Sequence, residues 1–363
     1  MPTFLHTADI HLDSKFSARL DSRKARERRG DVRCCVSNMA DMAKDLDFWL
    51  IAGDLFENSK KVSQETIAFL NRVFAKIPDT QIIIAAGNHD PYTEGSVYAE
   101  IKTNENVHIL STGGEILEFP KLSTRIFGRS FNEERCEETL SVPKIEKRDG
   151  ICDILVLHGD ISSESPYNPI SPEFIKDSNA DYAALGHIHK RSEVKKIGNT
   201  YYAYCGAPEG HGFDECGELG CYIGEIKDGS VRCEFKRTCI RRMYKEYIDI
   251  SEVSDSIEAT DIIKTAITKI GNADDMYRLA LKGRVNPYAI NFEIINAELE
   301  KCLYHVEMTD MTEPDFDIDA IKEQNNICGK FVRYILDLPE IDAEAKEAAV
   351  KIGLEALIRG DAK

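Results

Sequence analysis

No run of apolar residues in this chain approaches the roughly 20 that a bilayer crossing requires. The N-terminus, MPTFLHTADIH, lacks a basic stretch followed by an apolar one. The first absence excludes a membrane-spanning helix and the second an ordinary secretory leader, so the expected location is cytoplasmic. CxxC pairs are also missing. The 11 cysteines are odd in number and Cys34 adjoins Cys35, which fits neither a disulfide framework nor a zinc–thiolate site. Reduced thiols are expected. Internal repeats and low-complexity tracts are absent. Positive charge is scarce: 46 Lys and Arg against 63 Asp and Glu leave a net charge of −17. That balance disfavours indiscriminate nucleic-acid binding through the whole surface. One stretch runs against it, KFSARLDSRKARERR over residues 15–29, helix-like and carrying Lys15, Arg19, Arg23, Lys24, Arg26, Arg28 and Arg29. It is either a solvated helix or a local substrate-facing surface; on the second reading Lys15, Arg19 and Arg23 are substrate-binding candidates.

What is present is an ordinary globular composition, 42% hydrophobic and 30% charged, over 363 residues, enough for two or three domains. Five apolar, strand-like runs end in unusual polar residues. TFLHTADIH ends at Asp9 and His11, DFWLIAGD at Asp54, and QIIIAAGNHD at Asn88, His89 and Asp90. DILVLHGD carries His158 near its tip, and DYAALGHIH ends at His187 and His189. Helix-like segments separate the first three; SQETIAFLNRVFAKI places Ile67, Leu70, Phe74 and Ile77 on one face. Alternating strands and helices predict a largely parallel, buried sheet, with ligands collecting at the carboxyl ends of its strands. Shorter alternating runs in residues 190–240, with KDG as a hairpin turn, predict a second sheet completing the same domain.

Composition shifts near residue 241. YKEYIDIS, ATDIIKTAITKIG, MYRLALKGRV, NFEIINAELEKC and YHVEMTDM predict a small strand-helix-strand-helix-strand module, followed by helices. The expected division is 1–240, 241–312 and 313–363. In the last helix Ala345, Ala348, Ala349, Ile352 and Ala356 share a face, which predicts packing within the chain or, less simply, a partner surface.

The five strand ends offer two Asp, one Asn and four His as ligands. Carboxylate, amide and imidazole without thiolate suit Mn²⁺, Fe²⁺ or Zn²⁺. Seven ligands exceed one tetrahedral site and suit two divalent ions sharing a bridge, for which Asp54 has two oxygens. Such a pair clamps the oxygens of an in-line displacement and acidifies water between them, so hydrolysis of a phosphate ester is expected. His89 is the candidate catalytic acid. Asp90 is the second catalytic candidate, either orienting His89 or capping the following turn. Gly53, Gly87, Gly159 and Gly186 are expected to leave room for metal and phosphate.

The motifs DIH, GD, GNHD, HG and GHIH, in this order, resemble those of the calcineurin-like metallophosphoesterase superfamily. TADIHLDS, AGDLFEN and GAPEGHGFDECGELGCYIGEI are similar to the SbcD-type DNA repair exonuclease branch, in its short stand-alone bacterial form. The motif resemblance covers residues 1 to about 225. It implies an α/β (α+β) fold: a four-layer α-β-β-α sandwich with a small C-terminal α/β capping module and terminal helices. It implies one metal held by Asp9, His11, Asp54 and His189, a second by Asp54, Asn88, His158 and His187, usually Mn²⁺, with His89 catalytic. Many of the family's nucleases carry a further histidine where this chain has Glu57. The activity implied is an exonuclease or endonuclease in DNA repair, with a metal-held hydroxide attacking the phosphodiester. DNA, an SbcC-like coiled-coil ATPase docked on the C-terminal helices, and a second copy of the chain are the implied partners. Two other functions use the same residues: a phosphodiesterase or phosphatase for nucleotides or small phosphoesters, and a metal-binding scaffold without turnover.

Overall fold

The computed structural model describes residues 1–16, 20–101, 104–161 and 165–359, in two compact units, Met1–Arg242 and Met243–Lys363. The first unit begins with β1 (Thr3–Thr7), α1 (Ser22–Ala43), β2 (Phe48–Ala52), α2 (Gln64–Ala75), β3 (Gln81–Ala85), the single turn α3 (Tyr98–Ile101) and β4 (Val107–Ile109). It continues with β5 (Glu115–Phe119), β6 (Thr124–Arg129), β7 (Cys152–His158), α4 (Pro172–Asp177), β8 (Tyr182–Gly186), β9 (Lys195–Ile197), β10 (Thr200–Tyr204), β11 (Gly220–Lys227) and β12 (Ser230–Arg237).

Local sequence explains the boundaries. Asp21 caps α1, accepting from the amides of Arg23 and Lys24, so the helix starts at Ser22 and not at Lys15. Ser63 caps α2 through the Thr66 amide, and the buried stripe Ile67, Leu70, Val73 and Phe74 turns the helix onto the sheet. Asp228 and Gly229, both at positive φ, turn β11 into β12.

The strands form two six-stranded sheets, not one sheet with an appendage. The first has the order β12-β11-β1-β2-β3-β4, the second β5-β6-β7-β8-β10-β9. The five polar strand ends are therefore divided: β1, β2 and β3 lie in the first sheet, β7 and β8 in the second. The late runs are divided as well. β10 pairs parallel with β8, whereas the β11–β12 hairpin joins the first sheet antiparallel to β1. The second sheet expected to complete the domain is present, but residues 190–240 are divided between it and the first. Period-two alternation cannot say which sheet edge a hairpin joins.

Side chains alternate across each strand to build three cores. Phe48 and Leu50 face inward with Phe4, Ile83, Ile126, Ile154 and Val156, filling the space between the sheets. Trp49 and Ile51 face outward against Val36 and Met39 of α1 and Leu70 and Phe74 of α2. Leu155, Leu157 and Leu185 pack outward against Ile175 of α4. Helix, sheet, sheet and helix are the four layers, a mixed α/β sandwich with its strands' carboxyl ends brought to one edge.

The second unit is β13 (Met243–Asp249), α5 (Ser256–Ile270), β14 (Met276–Val285), α6 (Phe292–Glu300) and β15 (His305–Pro314), a parallel sheet with β14 central. Ile263, Ile267, Leu279, Leu281, Ile295 and Leu299 form its core. Helices α7 (Ile318–Lys322), α8 (Ile327–Leu336) and α9 (Ala343–Arg359) share a small core of Cys328, Val332, Val350 and Leu354. This corrects the expected core face of α9. Ala345, Ala348 and Ile352 are exposed, and Val350 and Leu354, on another face, are the buried pair. Larger side chains bury more apolar area, and they decide which face turns inward. Among the described residues no helix is long and apolar enough to cross a membrane, and all 11 cysteines are free.

Candidate metal centre

Each apolar strand stops where its backbone must turn to present a polar side chain. Asp9, His11 and Asp54 have φ of 52°, 48° and 51°, and His187 has 101°, a region that side-chain-bearing residues rarely adopt. Four such residues at the ends of three strands mark a strained, over-determined site. Backbone bonds hold the strain: the Asp9 amide donates to Gly53 O at 3.0 Å and the His11 amide to Asp54 O at 3.0 Å. The His187 amide donates to Asp9 Oδ1 at 3.0 Å, tying the second sheet to the first.

Close approach at two glycines makes this possible. A Cβ on Gly186 would lie 1.9 Å from Ala52 O, so only glycine lets the end of β8 reach the end of β2. Gly53, at φ +98°, leaves the space that the His158 ring fills; a Cβ would lie 2.1 Å from its Nδ1. Gly87 and Gly159 likewise make room for Asp54 and Asn168. The expectation that these glycines leave space for metal and phosphate is corrected: protein atoms occupy it.

The seven candidate ligands converge. His11 Nε2 lies 3.7 Å and His158 Nε2 3.4 Å from Asp54 Oδ2, so that carboxylate sits between the two imidazoles. Asn88 Oδ1 lies 2.9 Å from His158 Nε2 and 3.2 Å from His187 Nδ1. His189 Nε2 lies 3.9 Å from Asp9 Oδ1 and 3.3 Å from His11 Nε2. Three ligand groups follow: Asp9, His11 and His189; Asp9, Asp54 and His158; and His11, Glu57 and His89. His89 is exposed, its ring edge-on to His11 at 4.8 Å, and its amide donates to Asp54 Oδ1 at 3.0 Å.

The donor set fits a cation. His189 Nδ1 faces Glu215 Oε1 at 2.6 Å, and His11 Nδ1 faces Glu57 Oε2 at 3.1 Å. With protons on the Nδ1 atoms, the two Nε2 lone pairs point at each other across 3.3 Å. That contact is repulsive unless a proton or a cation lies between them. The electrostatics agree. Burial alone would deprotonate His158 and His189, but Asp54 and Asp9 lift the first to about 9, and Glu215 and Asp9 lift the second to about 9. His187, desolvated beside His158, falls to about 4. Burial raises Asp9, whereas Asp54 is held below the usual carboxylate range by His158 and His11 in spite of its burial. A site whose carboxylates favour a proton on these imidazoles favours a divalent cation in its place.

Other candidates lie elsewhere. Asp90 is fully buried and accepts from the amides of Gly87 (2.7 Å) and Phe56 (3.0 Å) and from the Tyr98 hydroxyl. It clamps the turn that presents His89; burial followed by the nearby Asp54 charge pushes it up to about 7. Lys15 lines a shallow basic cleft with Arg26, Arg29, Arg33 and Lys61. Arg23 points to solvent, 3.9 Å from Glu27. Arg19 lies outside the described residues. Arg28, counted in the basic stretch, is fully buried against Glu209 (2.7 Å) and Asp31 (2.8 Å), so it adds nothing to a substrate surface.

Sequence reading assigned no role to Glu215 or His211. Both lie in GHGFDEC, after the motifs that end strands. The His211 ring stacks on Phe16 at 5.4 Å and meets His11 edge-on at 5.3 Å. A histidine and a carboxylate four residues apart in a glycine-rich loop were the available signal. Nothing in the loop's periodicity points it at the strand ends.

Residues 2–191 match the family model of the calcineurin-like phosphoesterases, a span that contains all five strand ends. The uncharacterized metallophosphoesterase YhaO of Bacillus subtilis (strain 168) is 27% identical over 343 residues, 87% of this chain and 83% of that one. A matched family model over more than half the chain, a two-sheet sandwich, and candidate ligands gathered at one edge agree. The chain belongs to the calcineurin-like phosphoesterase family, metal-dependent hydrolases of phosphate esters built around a dinuclear metal centre.

Proposed function

We propose that this protein is a DNA phosphodiesterase, an SbcD-like nuclease of DNA repair, working with two Mn²⁺ ions. Asp9, His11, Asp54 and His189 would hold one ion, and Asp54, Asn88, His158 and His187 the other, with Asp54 common to both. When bound, the ions supply positive charge that polarises the phosphoryl group and acidifies water. The chain's own residues do the rest. His89, exposed at the rim with its backbone anchored on Asp54, is placed to donate an imidazole proton to the departing sugar oxygen. Asp90 keeps the turn beneath it closed.

The observation that carries the choice of a polymeric substrate is the basic cleft. It starts at Asp13, two residues past His11, and gathers Lys15, Arg26, Arg29, Arg33 and Lys61. A single small phosphoester has no use for a cleft that offers Lys15, Arg26, Arg29 and Lys61 besides Arg33, which Glu65 and Asp13 engage; a phosphodiester backbone does. Exposed Ile327, Tyr334 and Ile352 on the terminal helices support an ATPase or second-copy docking surface. One observation favours the alternative of small phosphodiesters or nucleotides. Glu57, half-buried beside His11 and held at about 2 by that ring, puts negative charge near the rim.

End-labelled single- and double-stranded oligonucleotides, with Mn²⁺, compared against an aryl phosphodiester, test the proposal. Oligonucleotide cleavage that disappears in His89→Ala, with both ions retained, is expected. Cleavage of the aryl ester alone would refute the nuclease reading.

A further inference from the structure

We propose that Glu215 is a positioning residue for His189 and that, with Glu57 behind His11, it makes the Asp9–His11–His189 position the tighter of the two cation positions. The inference rests on the two-cation reading above and concerns how unequal the two positions are.

Glu215 is held for this task. Its Oε1 lies 2.6 Å from His189 Nδ1, and its Oε2 accepts from the His211 amide at 2.8 Å. Both oxygens are thus committed, and the side chain is only 14% exposed. Its own amide donates to Gly212 O at 3.0 Å, closing a tight loop. That loop is anchored from below, because Arg28 Nη2 donates to Glu209 Oε1 at 2.7 Å and to Gly210 O at 2.6 Å. The His211 ring is stacked on Phe16 and meets His11 edge-on. Glu57 does the corresponding job for His11 less well. Its Oε2 is 3.1 Å from His11 Nδ1 but off the hydrogen-bond direction, and it also accepts from Ser14 Oγ at 2.9 Å.

The other position has neutral support. His158 Nδ1 lies 2.9 Å from the Ala52 carbonyl oxygen, whereas His187 Nδ1, 3.2 Å from the Asn88 oxygen that would hold the same ion, is the ring atom turned inward. A carboxylate behind an imidazole fixes which nitrogen carries the proton and raises the basicity of the other; a carbonyl fixes the tautomer equally but, being uncharged, raises the basicity less. Among the described residues, two carboxylates stand behind one position and none behind the other, which makes the ligand fields unequal.

Glu215→Gln tests this without changing shape. The His211 amide still needs an acceptor, so the glutamine oxygen turns to it and the NH₂ group faces His189 Nδ1. That nitrogen must then accept, and the proton moves to Nε2, the atom aimed at His11. The metal-free full-length chain is titrated with Mn²⁺, reading free ion by electron paramagnetic resonance. Wild type is expected to bind two ions, one tighter than the other. In Glu215→Gln the tighter affinity is expected to fall about 10- to 100-fold while the weaker holds. Glu57→Gln should cost less. At alkaline pH, nitrogen-resolved imidazole spectra should show the neutral His189 proton on Nδ1 in wild type and on Nε2 in Glu215→Gln, a change that loosened packing would not produce. Two equal affinities in wild type, an unchanged titration in Glu215→Gln, or loss of the weaker position instead would overturn the inference. Failure of wild type to bind Mn²⁺ at all would instead sink the two-cation reading beneath it.

Discussion

Replacing Gly53 by alanine tests whether the backbone at the end of β2 exists to seat His158. Gly53 has φ +98°, so any Cβ there costs about 1–2 kcal/mol. The added carbon would also lie 2.1 Å from His158 Nδ1, 2.5 Å from its Cγ and 2.7 Å from its Cβ. Non-bonded carbon contacts are comfortable at about 3.5 Å or more, so the ring must retreat by over ~1 Å. There is little room. Phe131 meets the ring edge-on at 5.6 Å and His187 at 5.2 Å. Retreat breaks the 2.9 Å contact of Nδ1 with Ala52 O and the 2.9 Å contact of Nε2 with Asn88 Oδ1. Each buried group left unpaired costs about 1–3 kcal/mol. The total expected is about 3–8 kcal/mol of stability, with loss of one metal position. Urea unfolding of the metal-free chain and Mn²⁺ titration measure the two effects. Gly95→Ala is the control, because Gly95 has φ +73° and nothing within 4 Å, so it should show the backbone cost alone and normal metal uptake. If Gly53→Ala matched Gly95→Ala in both assays, the packing argument for the glycine would be wrong.

Two further predictions concern the framework. His6 is fully buried between the sheets, its Nδ1 2.8 Å from Tyr182 Oη and its Nε2 3.1 Å from Leu185 O, and burial drives its pKa down from 6.5 to about 3. A depressed histidine stabilises the fold fully above its unfolded value, and that contribution is lost as pH falls from 6.5 towards 3. Near pH 4 the loss is about 3 kcal/mol, and His6→Gln should flatten that part of the metal-free stability curve; identical acid profiles would refute the assignment. Arg28→Met should destabilise the first unit by about 3–5 kcal/mol, because Glu209, fully buried, loses its cation. Adding Glu209→Gln should recover most of that; a double variant as unstable as the single one, by thermal melting, would count against the ion pair.

How much of this molecule was legible in its sequence follows from the range of each interaction. Strand ends were legible because an apolar run that stops at Asp9, Asp54 or Asn88 carries its own local signal. The β-α-β-α-β order after Met243 was legible for the same reason, since hydrophobic period and helix punctuation are local. The face of α9 that packs was not, because alanines spaced for a helix face say nothing about which larger residues, here Val350 and Leu354, find a neighbour. Arg28 looked like its cationic neighbours and is buried, because its partner Glu209 stands 181 positions away. Asp90 could have served His89 or its own turn; only the approach of Phe56 and Tyr98 chose the turn.

The sequence by itself determined which side chains stand at the carboxyl ends of the strands, since apolar runs and turn residues act over a few positions. Tertiary structure alone decided that those strands belong to two sheets meeting at Gly186 and Ala52, and that Glu215 and Glu57 stand behind His189 and His11. Contacts between residues 26 to 178 positions apart depend on how whole layers pack, and no local pattern encodes them.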